Sequence, residues 1–113
     1  MKVLDFITFK ELNEMKKQDA KNKLNVRFNK EGSLEEVTVF SWIDCMGNKG
    51  YALQAYKFGF GSYWSNDYDT LEEVLNLAAE IIKTNFTTIE KSFCSRSYIN
   101  DSRKNSLALE IFY

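Results

Sequence analysis

Asp67, Asp69, Glu72 and Glu73 place four carboxylates within seven positions, and Tyr63, Trp64 and Tyr68 lie just ahead of them or between them. Three kinds of chemistry use such a group: cation ligation, acid–base work by paired carboxylates, and charge pairing with a basic partner. A calcium loop takes ligands at alternate positions, with a turn glycine and a distal bidentate glutamate. Here the glycine is missing and the acids run straight into helical sequence, where the helix dipole stabilises each of them by about 0.3–1 kcal/mol.

Catalysis is poorly served by the composition. The chain has no histidine, which removes Ser-His-Asp and Cys-His nucleophile pairs and the one side chain that titrates near neutrality without help. Cys45 and Cys94 are two thiols against the four ligands of a structural zinc site. No GxxxxGK[ST] phosphate loop occurs, and the "GFG" of residues 59–61 is too short for a nucleotide fingerprint; Gly59 and Gly61 read as a strand end or a bulge. The expectation is a protein that is not an enzyme and carries no cofactor or metal. What remains for the acids and rings is charge pairing and contact area.

The elements that position them follow from periodicity. At 113 residues, 44% hydrophobic and 27% charged, the chain reads as a single α+β domain over 1–113 with one core. Asp5 interrupts the apolar run of residues 3–9, so no signal peptide is read there, and no stretch reaches membrane-spanning length. The expected location is therefore the cytosol, with both cysteines as free thiols.

Thr8 with Glu11 forms a capping box, flanked by Ile7 and Leu12 as a hydrophobic staple, and starts a surface helix ending near Asn22. From Leu24 the period drops to two, which predicts a strand through Phe28. A second strand is expected from about Glu36 to Ile43 and a third from about Tyr51 to Phe58, reversed by "DCMGNKG", giving a three-stranded antiparallel meander. A cap at Asp69 or Thr70 then opens an amphipathic helix through Ile82, packed on the sheet. The C-terminal portion carries a helix over Thr87–Tyr98, a closing strand in "LALEIFY", or both.

Alternation assigns Val37, Val39 and Ile43 to the core face with Leu53 and Ala55. Phe40, Trp42, Tyr56 and Phe58 fall on the opposite face, where the last thirty residues, with Phe93, Ile111 and Phe112, are expected to fold back. Tyr63, Trp64 and Tyr68 fall in the connection from the third strand to the second helix, a place suited to binding anchors.

Charge is uneven along the chain. Residues 1–30 hold eight basic and four acidic side chains, residues 31–82 two and nine, and residues 83–113 five and three. An acidic middle of this kind steers partners. Twelve lysines to three arginines, ten asparagines and no proline accompany AT-rich genes of low-GC bacteria and their phages.

Over roughly Thr8–Lys83 the order helix, three-stranded meander, helix resembles the double-stranded-RNA-binding domain. That family grips phosphates with lysines at the start of its second helix, whereas Asp67, Asp69, Glu72 and Glu73 stand there in this chain and would repel a backbone with one charge per ~1.7 Å. A nucleic-acid-binding module would instead use Lys16, Lys17, Lys21, Lys23 and Arg27, or Arg96, Arg103 and Lys104. A similar order with a further short helix resembles some small phage-encoded anti-CRISPR inhibitors, which set acidic side chains against the basic DNA-binding cleft of a nuclease.

The expected function is accordingly that of a small binding protein of a phage or mobile element that occupies a basic surface of a partner protein, such as a host defence nuclease or another nucleic-acid enzyme. Glu35, Glu36, Asp67, Asp69, Glu72 and Glu73 would supply charge, and Tyr63, Trp64 and Tyr68 buried contact area. The nucleic-acid-binding module and a self-associating assembly protein are the alternatives.

Overall fold

The computed structural model describes residues 6–88 and 108–113. Helix α1 spans Phe9–Ala20, strands β1 to β4 span Asn25–Asn29, Glu36–Ile43, Lys49–Lys57 and Gly61–Trp64, helix α2 spans Leu71–Lys83, and strand β5 spans Leu109–Phe112. The five strands form one mixed sheet in the order β4-β3-β2-β1-β5. Strands β1 to β4 run antiparallel, and β5 pairs in parallel with β1, Phe28 opposite Ile111. Among the described residues no helix is long and apolar enough to cross a membrane.

Both helices begin where their caps dictate. The Thr8 hydroxyl accepts from the Glu11 amide at 3.1 Å while the Glu11 carboxylate accepts from the Thr8 amide at 2.7 Å, so two orphan donors are satisfied reciprocally. In α2 it is Thr70, not Asp69, that caps: its hydroxyl accepts from Glu73 N at 3.3 Å and donates to the Glu73 carboxylate at 2.8 Å.

Strand alternation builds the core on one sheet face. Val26 and Phe28 of β1, Val37 and Val39 of β2, and Leu53 and Ala55 of β3 are all buried there, beneath Val74, Leu75, Ala78 and Ile81 of α2 and Met15 of α1. Ile43 has the core-facing parity but, as the last residue of β2, is 51% exposed and does not join the core. The C-terminal end of α1 is tied to β3 by Asp19. Its carboxylate accepts from Tyr51 OH at 2.7 Å and pairs with Lys49 Nζ at 2.6 Å. Burial and then the Asp19 carboxylate raise the Tyr51 pKa.

Two features depart from the meander read off the sequence. β3 ends at Lys57 rather than Phe58, and after the turn at Gly59 (φ +83°) the chain returns as β4 instead of leaving the sheet. The closing strand is present as β5. The third helix expected over Thr87–Tyr98, and the cover of the second sheet face by Phe93 and its neighbours, lie outside the described residues apart from residues 87, 88 and 108–113.

Candidate functional site

Two small residues on β3 create the site. On the sheet face away from the helices, Gly50 lies opposite Trp42, Ala52 opposite Phe40, and Gln54 opposite Trp64. Because positions 50 and 52 carry no bulk, rings from β2 reach across β3 to the sheet edge. A Cβ on Gly50 would overlap Cζ2 and Cε2 of Trp42, so the indole lies directly over that backbone. Phe40 meets Trp64 edge to face over Ala52, with ring centroids 5.7 Å apart and planes at 72°, the arrangement favoured by the ring quadrupoles. The Trp64 Nε1 is buried and has no hydrogen-bond partner among the described residues.

Beyond β4 the edge bulges. Ser65 N donates to Leu53 O, and Tyr68 exchanges both backbone hydrogen bonds with Tyr51. Between these pairings β3 advances two residues and the edge three, which is one extra residue at a β-bulge. Asn66 and Asp67 stand out from the sheet there, both exposed. The Trp42 indole, having crossed β3, donates to Asp67 Oδ1 at 3.1 Å. An acid on the bulge and a ring on the sheet are thus held as one unit.

The acids named from sequence divide into two groups. Asp67, Asp69, Glu72 and Glu73 are all exposed on the bulge and the first turn of α2, and no Lys or Arg among the described residues pairs with any of them. Asp67 lies on the tryptophan side of the sheet, Glu72 and Glu73 stand on the first turn of the helix that covers the other side, and Asp69 lies in the connection between them. No three His, Cys, Asp or Glu side chains among the described residues come together as metal ligands.

Glu36 is elsewhere. It is half-buried at the far end of β2, six residues from Trp42 and therefore about 20 Å away along the strand. Glu35, contrary to the expectation of an exposed acid, is 3% exposed, accepts from Tyr113 OH at 2.7 Å and lies 3.9 Å from Lys57 Nζ, so it offers no surface charge. Its carboxylate anchors the last residue of the chain. Burial first, and then this contact, hold the Tyr113 phenol far above the usual tyrosine range.

The three rings also differ from the loop anchors expected. Tyr63 and Trp64 sit in β4 and point to opposite faces, Tyr63 against the core beside Ala55 and Trp64 beside Phe40. Burial, and then Tyr68, raise the Tyr63 pKa. Tyr68 packs against the core at the bulge. All three are half-buried, and it is Trp42, a residue outside the set expected from the sequence, whose ring is bonded to an acid of the patch. Gly50 stands opposite Trp42 only once the register of β2 against β3 is known, so no local signal marks this ring.

The cations assigned to a nucleic-acid reading are in part already engaged. Arg27 pairs with Glu110 at 3.2 Å and Lys17 with Glu14 at 3.4 Å, whereas Lys16, Lys21 and Lys23 are exposed along and after α1. Arg96, Arg103 and Lys104 lie outside the described residues. Exposed large apolar side chains among the described residues are spread over several elements, with Phe9 on α1, Leu34 in the β1–β2 turn, Ile43 and Met46 at the β2–β3 hairpin, Tyr56 and Phe58 at the end of β3 and its turn, and Phe112 on β5. Comparisons with protein families, with curated proteins and with solved structures return no match.

Proposed function

We propose that this is a small binding protein that occupies a basic surface of a larger protein through β4, its bulge and the first turn of α2. The observation that carries the reading is the set of four exposed carboxylates, Asp67, Asp69, Glu72 and Glu73, without a pairing cation among the described residues. Two of them are held by their surroundings, Asp67 by the Trp42 indole and Glu73 by the Thr70 hydroxyl. Fixed charges lose less conformational freedom on binding than mobile ones. Asp69 and Glu72 complete the patch and give it long-range attraction for a cationic surface.

The partner that fits is a protein whose basic groove normally takes nucleic-acid phosphates, such as a host defence nuclease, since carboxylates can stand in for the phosphate charge. Occupying that groove would block the nucleic acid, so the protein would act as an inhibitor in the cytoplasm of the cell that holds the target.

Capture of partners from a bacterial lysate, identification by mass spectrometry and competition with short duplex DNA test the proposal. The expected result is a basic, nucleic-acid-handling partner that duplex DNA displaces and that Asp69→Lys/Glu72→Lys captures at least tenfold less well. A partner retained equally by the charge-reversed variant, or undisturbed by DNA, would overturn it.

A further inference from the structure

The acidic patch borders a sheet edge whose hydrogen-bonding groups can be assigned one by one. In an antiparallel ladder, alternate residues turn their N–H and C=O groups toward the neighbouring strand. Ser65 N donates to Leu53 O at 3.0 Å, which sets the phase: Tyr63, opposite Ala55, faces β3, and Ser62 and Trp64 turn their backbone groups outward. β4 is the end of the sheet order, and no described strand lies beyond it.

We infer that β4 receives an extended segment of the partner protein as a sixth strand, and that this segment carries lysine or arginine beside the bulge. The inference rests on the acidic-surface reading and specifies how the partner is held. An edge strand with unpaired groups is a template for strand addition, in which backbone bonds give affinity and alternate side chains give selectivity.

Charge complementarity decides the occupant. The bulge ends regular pairing after Ser65, so an added segment leaves the sheet next to Asp67 on one face and the start of α2, with Glu72, on the other, Asp69 lying in the connection between them. Cationic side chains at that point meet carboxylates on either side, and those on the Trp64 face also meet an indole. An acidic or neutral segment would gain the backbone bonds and none of this. β4 spans four residues, about 13 Å of pairing, so the charges are needed to hold so short a strand.

Amide hydrogen exchange followed by NMR, with an extended peptide of alternating valine and lysine as the probe, tests this. Saturating peptide is expected to slow exchange at Ser62 and Trp64 at least tenfold, the valine–glutamate counterpart is expected to leave it unchanged, and Ser62→Pro, which removes an outward N–H only, is expected to abolish binding while the far-ultraviolet circular dichroism is kept. Should Ser62→Pro unfold the chain, the exchange data on the unaltered protein decide alone. Binding that is lost in Asp69→Lys/Glu72→Lys but leaves Ser62 and Trp64 exchanging freely would overturn strand addition while sparing the acidic surface. Absence of binding at millimolar peptide would also overturn it. Protection that appears without peptide, rises with protein concentration and accompanies a doubled mass would assign the edge to a second copy of this chain instead.

Discussion

Replacing Gly50 with alanine probes how Trp42 is held across β3. The added Cβ would overlap two atoms of the indole, so the ring or the β3 backbone has to shift. Overpacking of this kind costs about 1–3 kcal/mol. If the ring swings away instead, the 3.1 Å bond to Asp67 is lost; both partners are partly solvated, so this adds about 1 kcal/mol at most. A total near 2 kcal/mol corresponds to a fall of about 8 °C in Tm for a domain of this size. In a Trp42→Ala background the obstacle is gone, and Gly50→Ala should then be neutral or stabilising by about 0.5 kcal/mol through reduced backbone entropy in the unfolded chain. Urea denaturation followed by far-ultraviolet circular dichroism on the four proteins measures the coupling, expected near 2 kcal/mol. Equal cost of Gly50→Ala in both backgrounds would refute the reasoning.

Other perturbations follow from single contacts. Tyr113→Phe withdraws the hydroxyl that donates to the buried Glu35 carboxylate and should cost about 1.5–3 kcal/mol in denaturant unfolding. The Tyr113 phenol is raised in the folded state above its ordinary value of 10.0, so its contribution is full below about pH 10 and declines above it, where only the unfolded chain ionises. Stability measured between pH 8 and pH 11 should therefore fall less steeply at the alkaline end in Tyr113→Phe than in the unaltered protein. Thr8→Ala breaks the reciprocal cap of α1 and should cost about 1 kcal/mol in the same assay. Asp67→Asn keeps an acceptor for the Trp42 indole, so stability should change by less than about 1 kcal/mol while partner association slows and loses part of its salt dependence.

Local signals accounted for the helices and the meander. The caps at Thr8 and the start of α2, and the period-two run through β2, were readable because each rests on neighbours in the chain. β4 was not: four residues with both faces half-buried show no clean alternation, and the glycines that flank Phe60 read as a strand's end when they in fact frame a turn back into the sheet. The parallel pairing of β5 with β1 joins residues some eighty positions apart, and nothing local to either strand specifies the other.

Within the site, charge counting treated every acid as a solvated one. Strand parity held the correction for Glu35, which precedes β2 in phase with the core residues Val37 and Val39 and so faces inward. The same parity places Tyr113 with Ile111 on that face. The union of Trp42 with Asp67 needed the register of β2 against β3 and the bulge after β4, both of which are long-range facts.

Affinity of the captured partner for three forms of the protein tests the central claim most directly: the unaltered chain, Asp69→Lys/Glu72→Lys, and Glu31→Lys/Glu80→Lys, which changes net charge equally at exposed positions elsewhere. Reversal at the start of α2 should weaken binding at least tenfold, about 1.4 kcal/mol, and flatten its salt dependence, while the remote reversal changes affinity less than threefold. Equal losses from both reversals would mean that overall charge, and not this edge of the sheet, attracts the partner.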